Sequence, residues 1–313
     1  MHAVITGANG FIGRHLVQAL LGAARNDAAH WPLTRITVID IALDQLPADP
    51  LLHKVNGSFA DAATLTAALQ VPADLVFHLA AVPSGRSESD PDFAFNVNVS
   101  GTLQLLNALK TQGNCPTLVF ASSIAVYGKP QVPLVTDDTL PTPTLSYGSN
   151  KIIGEVLVND YARRGWIKGC SLRLPGIVTR PPEPNGAVSI FLSNLIRELR
   201  HGRPFTCPTS PQAHTWLMSV GCCVDNLLHA AQQQFSDKRT FMLPPQHVEL
   251  GALVQAIADE FGITNMRDLI RWQKDDWVEF NFGSYPPVHL PAAEAAGFRA
   301  DSNLRSLVIN SLV

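Results

Sequence analysis

Tyr147 and Lys151 close the run Tyr-Gly-Ser-Asn-Lys and stand four positions apart. On a helix that spacing puts both side chains on one face. An ammonium beside a phenol favours the phenolate and draws its pKa toward working pH. Such a group takes the proton of a substrate hydroxyl while a hydride leaves the same carbon. A Tyr–Lys pair alone is also what a solvated helix face carries. It gains weight from Ser122 and Ser123, which follow the apolar run Leu-Val-Phe-Ala. If that run is a buried strand, the serines sit at its C-terminal end, where open α/β sheets bind ligands. A hydroxyl there holds the substrate oxygen against Tyr147.

A second pattern concerns a nucleotide. Thr6–Gly13 reads Thr-Gly-Ala-Asn-Gly-Phe-Ile-Gly, with glycines at 7, 10 and 13. Gly7 permits a tight turn, Gly10 lets the backbone approach a pyrophosphate, and Gly13 lets helix and strand pack closely. The helix that starts at Phe11 and Ile12 presents unpaired N–H groups and a positive dipole end to phosphates. Asp40 closes the apolar run Ile-Thr-Val-Ile-Asp. A carboxylate there accepts from both ribose hydroxyls and repels a 2′-phosphate. The next residues, Ile41, Ala42 and Leu43, supply no cation to offset that repulsion. NAD is therefore expected over NADP.

The elements that must position these groups are legible from periodicity. Short apolar runs at Ala3–Thr6, Ile36–Asp40, Leu75–Leu79, Leu118–Ser122 and Cys170–Leu174 read as buried strands. Helical periods cover Phe11–Leu21, Phe93–Leu109 and Ser146–Tyr161. The alternation implies right-handed βαβ units and a doubly wound parallel sheet covered on both faces. After Pro175 the chain becomes Pro-rich (Thr179–Gly186), then helical at Ser189–Arg200, Val224–Gln233 and Leu250–Phe261. The expected division is a dinucleotide-binding domain over 1–175 and a smaller substrate lobe over 176–313. Some segments of that lobe should return to the sheet.

Composition excludes other classes. The 313 residues are 46% hydrophobic and 16% charged, with a formal net charge of -3, so neither disorder nor a basic nucleic-acid surface is expected. Five cysteines without a Cys-x-x-Cys pair give neither a disulfide framework nor a zinc signature. Ten histidines form no metal-binding spacing, so no metal is expected. No apolar stretch is long enough to span a membrane. The N-terminus lacks a secretory pattern, and a cytoplasmic location is expected.

Taken together, the glycine turn, Asp40, His-Leu-Ala-Ala at 78–81, Val-Asn-Val-Ser-Gly-Thr at 97–102, Phe-Ala-Ser-Ser-Ile-Ala-Val-Tyr-Gly at 120–128 and the Tyr–Lys run resemble the extended short-chain dehydrogenase/reductase family in order and spacing. The resemblance implies a Rossmann-type fold and an NAD-dependent enzyme with a Ser123–Tyr147–Lys151 triad. In it Tyr147 is the acid/base, and Lys151 binds nicotinamide ribose and tunes Tyr147. It further implies that Leu79, Ala80 and Ala81 pass under the cofactor, that Asn98, near the active site, is among the cofactor-binding residues, and that Pro175 stands beside the nicotinamide. Ser58, followed by Phe59, stands where the family carries an Asp for the adenine, and Asp61 is expected to cap the next helix.

Family members either epimerise or dehydrate nucleotide sugars or oxidise small alcohols. Pro175 and His214 replace an Asn and an Arg that nucleotide-sugar members carry. Several stretches, Leu-Arg-Leu-Pro-Gly-Ile-Val-Thr-Arg at 172–180 among them, instead resemble a branch that oxidises the C2 hydroxyl of four-carbon sugar acids of the D-erythronate type. A small acid needs a planar cationic clamp. Arg86 and Arg180 are the candidates, with Ser84 and Asn185 for hydroxyls. A tightly held NAD serving nucleotide-sugar epimerisation or dehydration is the alternative. A non-catalytic dinucleotide sensor is disfavoured because Ser123, Tyr147 and Lys151 are all present. The family's pairing of two helices across a two-fold implies a homodimer through Phe93–Leu109 and Ser146–Tyr161.

Overall fold

The apolar runs assemble into one seven-stranded parallel sheet in the computed structural model, which describes residues 1–313 except 131, 183–188, 237 and 313. Its strands are β1 (His2–Thr6), β2 (Arg35–Asp40), β3 (Leu52–Asn56), β4 (Leu75–His78), β5 (Thr117–Ser123), β6 (Lys168–Leu174) and, after β7 (Gly176–Val178) and β8 (His214–Ser219), β9 (Thr240–Met242). The order is β9-β6-β5-β4-β1-β2-β3. The chain winds outward from β1 through β2 and β3, then starts again at β4 on the other side. The C-terminal ends of β1 and β4 thus flank the switch point, the place where such sheets bind ligands.

Burial explains the runs. Ala3, Val4, Ile5, Val76, Phe77, Leu118 and Val119 are fully or almost fully enclosed, as strands covered on both faces must be. β3 has no such signature because it is the edge: Val55 alone is buried in Leu-His-Lys-Val-Asn. The helical period expected over Phe93–Leu109 is split into a short helix Pro91–Phe95, a π-helical turn Asn96–Gly101 and a helix Thr102–Gln112. Within the π turn Asn98 is buried, and its amide bonds Val82 at both ends, accepting from the N–H at 2.7 Å and donating to the carbonyl at 3.1 Å. Tertiary pairing therefore sets the turn, and π turns of this kind gather at functional sites.

Past β6 a second core forms. β7 and β8 join Gln246–Glu249 in a three-stranded sheet. Helices Ile190–Arg200, Leu250–Phe261 and Leu304–Asn310 pack around Leu195, Leu199, Leu217, Leu253 and Leu307. β9 leaves this lobe to pair with β6, Thr240 against Ser171. No described helix is long and apolar enough to cross a membrane.

The switch point is held by a buried polar chain. His78 at the end of β4 bonds Thr6 Oγ1 through Nδ1 at 2.7 Å and Thr102 Oγ1 through Nε2 at 2.9 Å. Burial, with some repulsion from Lys151, pushes its pKa down to about 3. The unfolded chain protonates this histidine near its ordinary value of about 6.5, while the folded chain does not until about pH 3. Protons in that window favour unfolding, so His78 withdraws stability as pH falls from 6.5 toward 3. The expected slope is about 1.4 kcal/mol per pH unit. Denaturation midpoints measured from pH 7 to 4 should flatten by one proton's worth in His78→Gln. An unchanged acid limb in that variant would sink the assignment.

Candidate active site

Three adjoining cavities run along the C-terminal edge of the sheet, with volumes of about 880, 240 and 140 Å³. The largest is built on the glycine turn. Gly7 has φ +72°, and a Cβ on it would lie 2.7 Å from the Ala80 nitrogen. A Cβ on Gly13 would lie 2.1 Å from the Gly7 carbonyl oxygen. Both glycines are therefore fixed by the protein's own backbone. Gly10 is not, since its nearest neighbour would be 3.3 Å away; a side chain there would instead occupy the cavity that Gly10 lines. Such a cradle fits a dinucleotide, whose pyrophosphate needs that approach and the N-terminus of the helix Phe11–Asn26.

Gly7, Gly10, Asp40, Ser58, Phe59, Leu79, Ala80 and Ala81 line the largest cavity. The Asp40 carboxylate accepts from the Asn9 N–H at 2.9 Å and the Ile41 N–H at 2.8 Å. Burial still holds its pKa above the ordinary value, against those bonds. Asp61 departs from expectation. It occupies the N-cap position of the helix Ala62–Ala68 but makes no side-chain cap bond, and it lines the cavity beside Ser58. Asn98 departs as well. Both ends of its amide bond Val82, and it is not among the residues that line the cavity, so its visible role is to position the segment around Val82. Asn9, which lines the cavity and donates to Asp44 at 3.1 Å, went unnoticed because only the fold brings it to Asp40.

The middle cavity gathers Phe11, Ile12, Gly13, Ser123, Tyr147, Lys151, Pro175 and Arg180. Helix Ser146–Arg163 reaches it by lying hard against the turn after β5. A Cβ on Gly148 would stand 2.3 Å from the Ala125 carbonyl oxygen, so only glycine lets Tyr147 come this near Ser123. Lys151 is buried and donates to the Ala121 carbonyl at 2.6 Å. Its ammonium lies 5.5 Å from the Tyr147 ring centre. Burial lowers its pKa to about 8, and the charge of Glu155 opposes that shift. Burial raises the Tyr147 phenol above its usual value, while the Arg180 guanidinium and the Ser123 hydroxyl pull it back. Arg180, expected only to meet substrate, thus also acts on the phenol.

Under this cavity lies an ion pair that the sequence reading did not contain. Glu155, one turn beyond Lys151, receives Arg173 of β6 through Nε at 2.9 Å and through Nη2 at 2.8 Å. The Ser122 hydroxyl donates to the same carboxylate at 2.5 Å, and the third Arg173 nitrogen donates to the Tyr127 hydroxyl at 2.8 Å. The i, i+4 step from Lys151 to Glu155 was visible; the partner on another element was not.

The smallest cavity continues from Ser123 and Tyr147 toward the C-terminal lobe. Ser84, Arg180, Trp216, Asn281, Phe282 and Tyr285 are among its walls. Arg86 is not. It is exposed, pairs with Asp90 at 3.0 Å, packs over the Phe93 ring and lines only the cofactor cavity. Its helix, Ser84–Ser89, carries it there. Asn185 lies outside the described residues.

Comparison with known proteins adds to this geometry. The family model described as "NAD dependent epimerase/dehydratase family" matches residues 3–243. The chain is 35% identical to a D-erythronate dehydrogenase of Cupriavidus necator over 98% of its own length and 97% of that protein's. It is 31% identical to a D-erythronate dehydrogenase of Haemophilus influenzae over 98% of both. A solved nucleoside-diphosphate-sugar epimerase of Agrobacterium tumefaciens superposes with a TM-score of 0.90 at 30% identity, covering 98% of this chain and 92% of that one.

Proposed function

Since the chain belongs to the NAD-dependent epimerase/dehydratase family and uses NAD, we propose that it oxidises the C2 hydroxyl of a small sugar acid, of the D-erythronate type, to the 2-oxo acid. The observation that carries this reading is the place of Arg180. It lines the cavity of Tyr147 and Lys151 and also the pocket of about 140 Å³ beyond it. That is far below the roughly 300–1,000 Å³ of sites for drug-sized ligands. A cation at the mouth of so small a pocket suits a short carboxylate.

In this reading the chain's groups divide the work. Arg180 holds the substrate carboxylate with a planar fork. Ser123 and Tyr147 hold the C2 oxygen, and Tyr147, ionised, takes its proton. Ser84 meets a distal hydroxyl. Below about pH 8 Lys151 carries a positive charge beside the phenol, and Asp40 holds the adenosine ribose. Bound NAD supplies the acceptor for the C2 hydrogen and its electron pair.

The first test is absorbance of reduced nicotinamide at alkaline pH with a panel of four- to six-carbon aldonic acids, D-erythronate and D-threonate included. A signal with a four-carbon acid is expected. Silence across the panel would remove the reading and favour nucleotide-sugar epimerisation or dehydration on tightly held NAD, which the Agrobacterium structure keeps in view. The cofactor preference is tested separately. Asp40→Ser removes a charged acceptor worth about 1.5–3 kcal/mol. The ratio of kcat/KM for NAD over NADP should fall at least about tenfold. A ratio that stays put would mean Asp40 does not meet the ribose.

We further propose a cytoplasmic homodimer. Phe93, Phe95, Leu103, Ile153 and Val156 are exposed, Val156 by 61%, on the two helical stretches expected to pair. Five free thiols suit a reducing compartment. Sedimentation velocity on wild type should give twice the chain mass, and Val156→Glu should give the monomer.

A further inference from the structure

Besides Arg180, Ser123 and Tyr147, the pocket beyond Tyr147 is walled by aromatic side chains that are held by several bonds. Trp216 is fully buried on β8, and its indole N–H donates to the Pro286 carbonyl at 2.8 Å. Tyr285 stacks on it almost face to face, with centres 4.5 Å apart and planes within 10°. The Tyr285 backbone is tied on both sides: its N–H donates to the His214 carbonyl at 3.0 Å, and its carbonyl receives the His247 ring at 2.9 Å. Gly283 and Ser284 continue the same attachment to His214. Phe282, at the end of the helix Asp276–Phe282, completes the wall.

Trp216 is fully buried, and Tyr285 and Phe282 are half-buried beside it; side chains packed in this way yield to an extra carbon unit only at a cost. Resting on the sugar-acid reading above, we infer that Phe282 and the Trp216–Tyr285 stack measure substrate length, admitting a four-carbon acid and turning away five- and six-carbon acids. The carboxylate end is fixed by Arg180 and the C2 hydroxyl by Ser123 and Tyr147. A longer chain must then push its extra carbons into the aromatic wall. Tyr285 and Phe282 are specificity-determining residues in this scheme, and neither touches the reacting atoms. Neither was legible in the sequence, because both lie in the C-terminal tail, far from any motif.

The test is the ratio of kcat/KM for D-erythronate over that for five-carbon aldonic acids. One extra carbon unit at a fitted wall is worth about 10- to 200-fold, so the wild-type ratio should be at least about tenfold. Tyr285→Leu keeps an apolar partner for Trp216, and Phe282→Ala leaves the stack alone. Each should cut the ratio about tenfold or more, chiefly by raising turnover of the longer acids, while NAD affinity and the melting transition confirm folding. If either folded variant keeps the wild-type ratio, that residue does not measure length; if both do, the inference falls. A wild type that prefers five-carbon acids also overturns it. A wild type silent on every aldonic acid removes the underlying reading instead, and the two failures are told apart by the unmutated enzyme.

Discussion

Tyr147→Phe should lower kcat by about 10³-fold, within the 10²–10⁴ that a positioned general base contributes, and leave the dissociation constant for NAD within about threefold. The substitution removes one oxygen. The ring stays, and with it the wall beneath the Lys151 ammonium. Ser123→Ala is a poorer probe, since the Ser123 oxygen also accepts from the Ala125 N–H at 3.1 Å and caps the turn Ile124–Tyr127. Loss there would mix chemistry with local folding. A pH profile sharpens the test. Burial holds the Tyr147 phenol above its ordinary value and Arg180 opposes that, so wild-type turnover should climb on the alkaline side as the phenol ionises. Taking away the Arg180 charge, as in Arg180→Leu, removes a group that lowers the pKa, so the climb should move to still higher pH. Turnover surviving in Tyr147→Phe would mean another base, and equal loss of NAD binding would mean a structural role.

Much of this site was legible because its parts are local in sequence. The glycine turn, Asp40 and the Tyr–Lys step each need only one strand–helix junction or one helical turn, and periodicity locates those. What escaped depended on distant elements meeting. Strand β3 was invisible because an edge strand buries one side chain out of five. Asn98 was placed near the site by the family resemblance, yet only the fold shows both ends of its amide on Val82. Arg86 and Arg180 looked equivalent as cations in overhanging segments. The short helix Ser84–Ser89 turns one outward to Asp90, while the other enters both small cavities. Phe282 and Tyr285 of the aromatic wall come from the tail, where no spacing rule applies.

Glu155→Ala should be the most destabilising change in the site. Glu155 and Arg173 have side chains only 6% and 11% exposed. Removing one partner of a buried pair strands the other charge, at about 3–5 kcal/mol. The melting temperature should fall on the order of ten degrees. The stranded guanidinium is not the whole loss, since the Ser122 hydroxyl also loses its acceptor. The double variant Glu155→Leu/Arg173→Met removes both charges and fills similar volume, and it should recover most of the stability. It should not recover the chemistry in full. Glu155 is the charge that holds up the Lys151 pKa against burial, so without it the ammonium gives up its proton below about pH 8. Lys151 would then lose its charge at a lower pH than in wild type. The double variant should melt near wild type, yet lose kcat at a pH below about 8, where the Lys151 of wild type is still charged. A double variant with the wild-type profile would assign Glu155 to the core alone. One that fails to regain stability would mean the pair holds the helix to β6 by more than its charges.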